Sequence, residues 1–156
     1  MPNPISKEGF DKLMEEWKRL KFVERPEMQR QVSAAAAEGD RSENAAYTYG
    51  KMRLRDIDKR LRALDKIIDH AKVVSTDAPA DGSIRFGATV TLEDSKTKRR
   101  RTYTLVGVEE IDPLQGKISV NSPVGTALLG KKQGEQVSIA IPRGTVLYSV
   151  VEILYK

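Results

Sequence analysis

A seven-residue repeat of apolar side chains in the first half of the chain is the feature that most constrains its fold. The repeat consists of two series between residues 47 and 71. The first series is Tyr47, Leu54, Leu61 and Ile68, and the second is Gly50, Ile57, Leu64 and Ala71. Because a heptad keeps one stripe of a helix facing a partner helix, four repeats predict a helix that packs along its whole length in a coiled coil.

A second helix is predicted ahead of this repeat, with Ser6 as its N-cap. Its apolar positions have helical spacing and fall at Phe10, Leu13, Trp17 and Leu20. After Pro26 the stripe resumes, displaced by one position, at Met28, Val32 and Ala35. Since proline lacks a backbone N–H and disturbs a helix, we expect a kink or stutter near Pro26.

A short polar segment, residues 38–44, separates the two predicted helices. Gly39 is suited to end the first helix and Asp40 to begin the second. A connection this short requires the helices to fold back on each other. Each would have about 30 residues and, at 1.5 Å per residue, a length of roughly 45 Å. The sequence therefore predicts an antiparallel coiled-coil hairpin, a rod with a polar tip.

Composition limits the chemistry that the chain can perform. Cysteine is absent and His70 is the single histidine, so disulfides, thiolate metal sites and histidine clusters are excluded. Any bound metal is expected to use oxygen ligands. No apolar run approaches the ~20 residues of a membrane-spanning helix, and the first residues do not resemble a signal peptide. We therefore expect a cytoplasmic protein with no membrane partner.

The net charge of +5 is concentrated in one part of the hairpin. Residues 6–38 carry seven Lys or Arg against seven Asp or Glu, whereas residues 45–72 carry eight against four. Such an excess is compatible with a solvated helix face, and equally with an anionic partner such as nucleic acid.

Two carboxylates near the predicted tip, Asp40 and Glu43, have two possible roles. Their spacing is that of a capping box, in which Asp40 caps the second helix and Glu43 reaches back as its partner. Alternatively, they are oxygen ligands for Mg²⁺, which is held by few protein carboxylates together with water and phosphate oxygens. Two carboxylates alone bind Mg²⁺ weakly, so the second role requires a host that already holds metal and phosphate. Spacing alone favours the capping role.

The second half of the chain has the pattern of a separate α+β domain. Residues 75–83 are rich in Asp, Ala, Pro and Gly and are predicted to be a linker. Ser122 and Pro123 fit the N-cap and the first position of a short helix that Gly130 ends. Strands are predicted at residues 86–92, 102–108, 117–120, 136–141 and 146–154. The expected organisation is α+β, with a hairpin domain over residues 1–76 and a second domain over residues 77–156.

The predicted tip and several other stretches resemble a known family. The tip reads Gly39-Asp40-Arg41-Ser42-Glu43-Asn44-Ala45, followed by two tyrosines and a basic continuation over residues 51–58. The further stretches are Glu8-Gly9-Phe10, Glu24-Arg25-Pro26-Glu27, Ser122-Pro123, Ala127-Leu128-Leu129-Gly130-Lys131-Lys132 and Gly134-Glu135. Together they resemble the Gre family of bacterial transcript cleavage factors over nearly the whole chain. The basic continuation is more similar to GreB than to GreA.

The resemblance implies a hairpin that enters the secondary channel of RNA polymerase and an FKBP-like C-terminal domain that docks at the channel rim. It implies that Asp40 and Glu43 hold Mg²⁺ jointly with the polymerase, so that backtracked RNA is hydrolysed. The polymerase is then the enzyme, this chain is its cofactor, and the free chain is expected to hold no Mg²⁺ stably. Ser42 and Asn44 are expected to shape the tip. Ser122 and Pro123 are expected to contact the polymerase.

A row of basic residues is predicted on the outer face of the second helix. When Tyr47 lies in the seam, four basic residues spaced by four, three and four positions fall on this outer face. We call them the basic ridge: Arg55, Lys59, Arg62 and Lys66. The resemblance to GreB implies that the ridge contacts the 3′ segment of backtracked RNA. Two other functions stay open, a channel-binding regulator without cleavage activity and a plain coiled-coil interaction protein. The protein is expected to be a monomer.

Overall fold

The computed structural model of the chain describes residues 3–38 and 44–155, which form two compact units. One unit is the helical segment Phe10–His70. The other contains the residues up to Gly9 and from Ala71 onward, and it is built around a β-sheet. The chain therefore belongs to the α+β class, as predicted. Within the described ranges, no helix combines the length and the apolar character needed to cross a membrane.

The helical unit is a hairpin whose first arm is one nearly continuous helical run. The first arm consists of α1 (Lys7–Arg19), a π-helical turn (Leu20–Glu24) and α2 (Arg25–Ala37). The second arm is α3 (Ala45–His70). Ser6 caps α1 as predicted, because its hydroxyl oxygen accepts a hydrogen bond of 3.0 Å from the Gly9 N–H. Residues that bracket the π-helical turn keep right-handed helical backbone angles, so the run is not broken there.

The π-helical turn is the irregularity expected near Pro26. In it the Arg25 N–H donates to the Leu20 carbonyl, five residues earlier. A π-helical turn holds about one residue more than an α-helical turn, so it shifts the apolar stripe by one position. This is the shift seen in the sequence between Leu20 and Met28. Pro26 follows in the first turn of α2, where its missing N–H is tolerated.

The heptad repeat of α3 forms the buried seam of the hairpin through residue 68. The most buried residues of α3 are Gly50, Ile57 and Leu64, and both large side chains have no exposed surface. Burying side chains of this size contributes about 1.5–3 kcal/mol each. The facing arm buries Leu13, Leu20 and Ala35. Ala71, the last residue of the predicted repeat, instead begins a strand, since α3 ends at His70.

Gly50 lets α2 and α3 approach closely at the seam. A Cβ placed on Gly50 would lie 2.5 Å from Cγ2 of Val32. We expect Gly50→Leu to lower the free energy of unfolding of the hairpin by about 1–3 kcal/mol, since the added side chain overpacks the seam. Urea unfolding followed by circular dichroism measures the change. Adding Val32→Ala should recover part of the loss, and a Gly50→Leu chain as stable as wild type would contradict this packing.

The second unit is a five-stranded sheet with one short helix. Its elements are β3 (Thr89–Asp94), β4 (Arg100–Val106), 3₁₀ turns at Val108–Glu110 and Pro113–Gln115, β5 (Lys117–Ser119), α4 (Pro123–Leu128), β6 (Gln136–Ile141) and β7 (Gly144–Leu154). The strand order is β5-β4-β3-β7-β6, antiparallel except for the parallel pair β4 and β5. The buried core between sheet and helix includes Leu92, Leu105 and Leu128. The finer expectation of an FKBP-like fold stays a prediction.

The N-terminal segment is part of this second unit. Strand β1 (Asn3–Ile5) pairs in parallel with β2 (Ala71–Val73). The Glu110 carboxylate accepts hydrogen bonds from the Ser6 N–H at 3.1 Å, the Gly107 N–H at 3.2 Å and the Ser6 hydroxyl. Gly9 leaves room for this carboxylate, which a Cβ at that position would strike. The sequence-based boundary at residue 76 had assigned these first residues to the hairpin domain.

Candidate functional site

Asn44 organises the tip end of the helical hairpin. Its side-chain oxygen accepts a hydrogen bond of 3.1 Å from the Tyr47 N–H, so Asn44 is the N-cap of α3. Its amide nitrogen donates to the Ala35 carbonyl in the last turn of α2, at 2.7 Å. One side chain therefore caps one helix and ties it to the other. The remaining predicted tip residues, Asp40, Ser42 and Glu43, lie outside the described residues.

The position of this cap bears on the two roles considered for the tip carboxylates. Helix α3 begins at Ala45, so the expected start at Asp40 is wrong. A capping box of α3 would pair Asn44 with Tyr47, its third helical residue, and not Asp40 with Glu43. The carboxylates are therefore not needed to cap α3. The cap of α3 is supplied by Asn44.

Replacing Asn44 should destabilise the hairpin in two separable steps. Asn44→Ser keeps a cap acceptor but cannot reach the Ala35 carbonyl, whereas Asn44→Ala loses both hydrogen bonds. We expect Asn44→Ala to lower the free energy of unfolding by about 1–2 kcal/mol, and Asn44→Ser to lie between it and wild type. Thermal and urea unfolding measure both variants. An Asn44→Ala chain with wild-type stability would show that α3 does not depend on this cap.

The charged residues of α3 that flank its seam pair with the first arm of the hairpin. The pairs are Arg53 with Glu24 at 2.8 Å, Asp58 with Arg25 at 2.7 Å and Arg60 with Glu16 at 2.6 Å. In each pair the hydrogen bond from the arginine is the main cause that lowers the pKa of the carboxyl group. The sequence analysis missed these pairs. Arg53 and Arg60 lie seven residues apart beside the seam, where coiled coils form interhelical ion pairs, so this spacing could have predicted that they pair with the other arm.

The basic ridge occupies the opposite, outer face of α3. All four of its side chains, those of Arg55, Lys59, Arg62 and Lys66, are exposed. Within residues 3–38 and 44–155, none of them lies within ion-pair distance of a carboxylate, although Arg62 contributes in a minor way to the lowered pKa of Asp58. The ridge extends over the twelve residues from Arg55 to Lys66, or about 16 Å along the helix. It presents positive charge that the hairpin does not use for its own ion pairs.

Comparisons with known proteins match both halves of the chain. A family model described as "Transcription elongation factor, N-terminal" matches residues 3–73, and one described as "Transcription elongation factor, GreA/GreB, C-term" matches residues 78–155. The chain belongs to the GreA/GreB family of transcription elongation factors. Both matches together span nearly all of the sequence, so the assignment covers the hairpin and the sheet-containing unit alike.

Relatives of both Gre types are similar to this chain. GreB of Yersinia pestis is 44% identical over 154 residues, covering 99% of this chain and 90% of the relative. GreA of Hyphomonas neptunium is 41% identical over 153 residues, covering 98% of each. Among solved structures, GreA factor homolog 1 (Gfh1) of Thermus thermophilus is 26% identical, covers 99% of each chain and has a TM-score of 0.44. The identities to the GreB and GreA relatives establish the Gre family without separating GreB from GreA.

In this Gre-family chain, the two residues expected to contact the polymerase differ in what they expose. The Ser122 hydroxyl accepts a hydrogen bond from the Gly125 N–H at 3.0 Å and donates to the Ser119 carbonyl at 2.7 Å. It is thus the N-cap of α4, as predicted. Pro123 is exposed. Leu114, which the sequence analysis missed, is 98% exposed in the turn before β5, and no periodic pattern marks such a residue in a loop.

The Gre resemblance also implies Mg²⁺ held at the hairpin tip. Carboxylate oxygens suit this ion, and Asp40 and Glu43 supply them in the sequence. The Asn44 side-chain oxygen is engaged by the Tyr47 N–H. Among the described residues, no group of three or more His, Cys, Asp or Glu is placed to hold a metal. The donor chemistry of the two tip carboxylates fits Mg²⁺ when a second protein supplies further ligands.

Proposed function

We propose that this Gre-family chain enters the secondary channel of RNA polymerase and stimulates the polymerase's Mg²⁺-dependent hydrolysis of backtracked RNA, rescuing arrested complexes. The observation that carries the proposal is the division of charge on α3. Its seam-flanking arginines are paired within the hairpin, whereas the basic ridge is exposed and free of ion pairs among the described residues. A positive track that leads away from a carboxylate-bearing tip suits an RNA strand whose end must reach that tip.

The hairpin is suited to a narrow passage near its tip. Gly50 brings α3 close to Val32, and the neighbouring turn of α2 consists of small residues, Ala34–Ala37. Small side chains let two helices approach, which keeps this end of the rod slender. Asn44 ties the two helices together there by its bond to the Ala35 carbonyl. A tied, slender end suits insertion into a narrow channel.

Each group of residues has a distinct part in the proposed reaction. The carboxylates of Asp40 and Glu43 orient the attacking water at the reacting phosphate. The polymerase supplies the rest of the active site. Asp40 and Glu43 would hold Mg²⁺ jointly with the polymerase, and the ion would supply activation of the attacking water and stabilisation of the leaving oxygen. The basic ridge holds the RNA by its phosphates without reading its sequence. Pro123 contributes to docking of the second unit on the polymerase.

A transcript cleavage assay tests this function. Polymerase is stalled and backtracked on labelled RNA, and the purified chain is added with Mg²⁺. We expect rapid shortening of the RNA from its 3′ side and renewed elongation, with no cutting of free RNA by the chain alone. Binding to polymerase without cleavage would support the alternative of a channel-binding regulator. Binding to neither polymerase nor stalled complexes would leave a plain coiled-coil interaction protein.

A further inference from the structure

Two large apolar side chains are exposed on α3 between the tip and the basic ridge. Tyr49 is 60% exposed and Met52 is 58% exposed. Neither belongs to the heptad seam, whose nearest members, Tyr47 and Gly50, are half-buried and buried. Tyr49 and Met52 are three residues apart and therefore neighbours on the helix surface. The packing of the hairpin does not explain why these outward positions carry a tyrosine and a methionine.

Met52 connects Tyr49 to the basic ridge. It follows Tyr49 by three residues and precedes Arg55 by three and Lys59 by seven, so Met52 lies in line with the ridge and the Tyr49 ring lies on the adjoining flank of α3. Tyr49 comes five residues after the cap Asn44, about 7 Å along the helix axis. Moving away from the tip, α3 therefore presents an aromatic ring on its flank, then Met52, and then the cations of its outer face.

An aromatic side chain beside a positive track is the usual composition of a surface that binds single-stranded nucleic acid. The cations hold the phosphates, and the ring stacks on an unpaired base of any identity. RNA-binding proteins use tyrosine rings in this way on bases that are not paired.

We propose that Tyr49, flanked by Met52, is a stacking site for an unpaired nucleobase of the extruded RNA close to its 3′ end. This inference rests on the proposed function, because it concerns the RNA whose cleavage the chain is proposed to stimulate. Stacking at Tyr49 fixes the strand between the ridge, which holds its phosphates, and the tip, where cleavage takes place. Tyr49 is then a positioning residue that acts on the RNA and has no part in the chemical step.

The test compares Tyr49→Leu and Tyr49→Phe with wild type in the cleavage assay at subsaturating concentrations of the chain. Tyr49→Leu keeps an apolar side chain at an exposed helical position, so helicity and melting temperature should not change. We expect it to cleave about tenfold more slowly, and Tyr49→Phe to cleave at nearly the wild-type rate. Gln29→Leu, at an exposed position of α2 and away from the outer face of α3, is the matched control and should have no effect.

A second set of RNAs, each with an abasic nucleotide at one extruded position, identifies the partner of the ring. At the stacked position, the abasic RNA should slow wild type to the rate of Tyr49→Leu and make the substitution silent. If Tyr49→Leu lost the same rate on every abasic RNA, the ring would contact the polymerase and not a base. If Tyr49→Leu cleaved normal RNA at the wild-type rate, the ring would make no contact that matters for cleavage. Either result overturns the stacking site. If wild type itself stimulates no cleavage, the proposed function fails and the stacking site falls with it.

Discussion

Asp40→Asn is expected to leave the chain folded and able to occupy the polymerase channel while slowing RNA cleavage by on the order of a hundredfold. The substitution replaces a charged carboxylate oxygen by a neutral amide, which is a much poorer Mg²⁺ ligand. Helix α3 should not be affected, because its N-cap is Asn44. Cleavage rates on stalled complexes, measured over a series of Mg²⁺ concentrations, should show partial recovery at high Mg²⁺.

Glu43→Gln should behave in the same way, since it also exchanges a carboxylate for an amide of equal size. Two controls separate chemistry from folding and binding. The melting temperature must stay near that of wild type, and each variant must compete with wild type for stalled polymerase. Asn44→Ala supplies the converse case, a chain of lower stability that retains both carboxylates. If both amide variants bind and cleave at nearly wild-type rates, the carboxylates are not metal ligands and the proposed mechanism is wrong.

The hairpin was predictable because its order is local and periodic. The heptads placed Ile57 and Leu64 in the seam, where they have no exposed surface. The same register put the ridge residues on the outer face, where they are exposed. The irregularity near Pro26 was also visible as a one-residue shift. Only its form, a π-helical turn at Leu20–Glu24, required the structure.

The attachment of the N-terminal segment could not be predicted from the sequence. Strands β1 and β2 have three residues each, too few to show any alternation. Their pairing joins segments almost 70 residues apart, and the Glu110 carboxylate that holds Ser6 comes from a third part of the chain. Nothing local marks such contacts. Apart from β5, the strands of the five-stranded sheet have six to eleven residues, and all five strands were predicted to within a few residues.

The tip was the most difficult part of the site to predict for a chemical reason. Asp, Asn and Ser are all good N-caps, so the segment from Asp40 to Asn44 offers several helix starts of similar free energy. Spacing alone favoured Asp40 with Glu43. The choice of Asn44 depends on the facing helix, because its amide also donates to the Ala35 carbonyl. The residue that caps α3 is therefore determined by a contact between two helices, which the sequence around one helix does not show.

Removal of the basic ridge is the second large effect expected. In the triple variant Arg55→Ala, Lys59→Ala, Lys66→Ala, three cations that make no ion pair among the described residues are lost from the outer face of α3. We expect cleavage of long backtracked segments to fall about tenfold and that of the shortest segments to change little, since only a long segment reaches the ridge. The slope of log affinity against log salt should fall by about 2, as three phosphate contacts to a single strand require.

The control for this variant must remove the same charge elsewhere. Lys96, Lys98 and Arg99 are exposed in the turn between β3 and β4, so their replacement by alanine also removes three positive charges but leaves α3 intact. Arg53→Ala with Arg60→Ala is the complementary variant, because it breaks the ion pairs within the hairpin and should lower stability without selecting by RNA length. If the ridge variant slowed short and long segments equally, or if the turn variant reproduced its effect, the ridge would act through the polymerase or through net charge, and its proposed contact with RNA would be wrong.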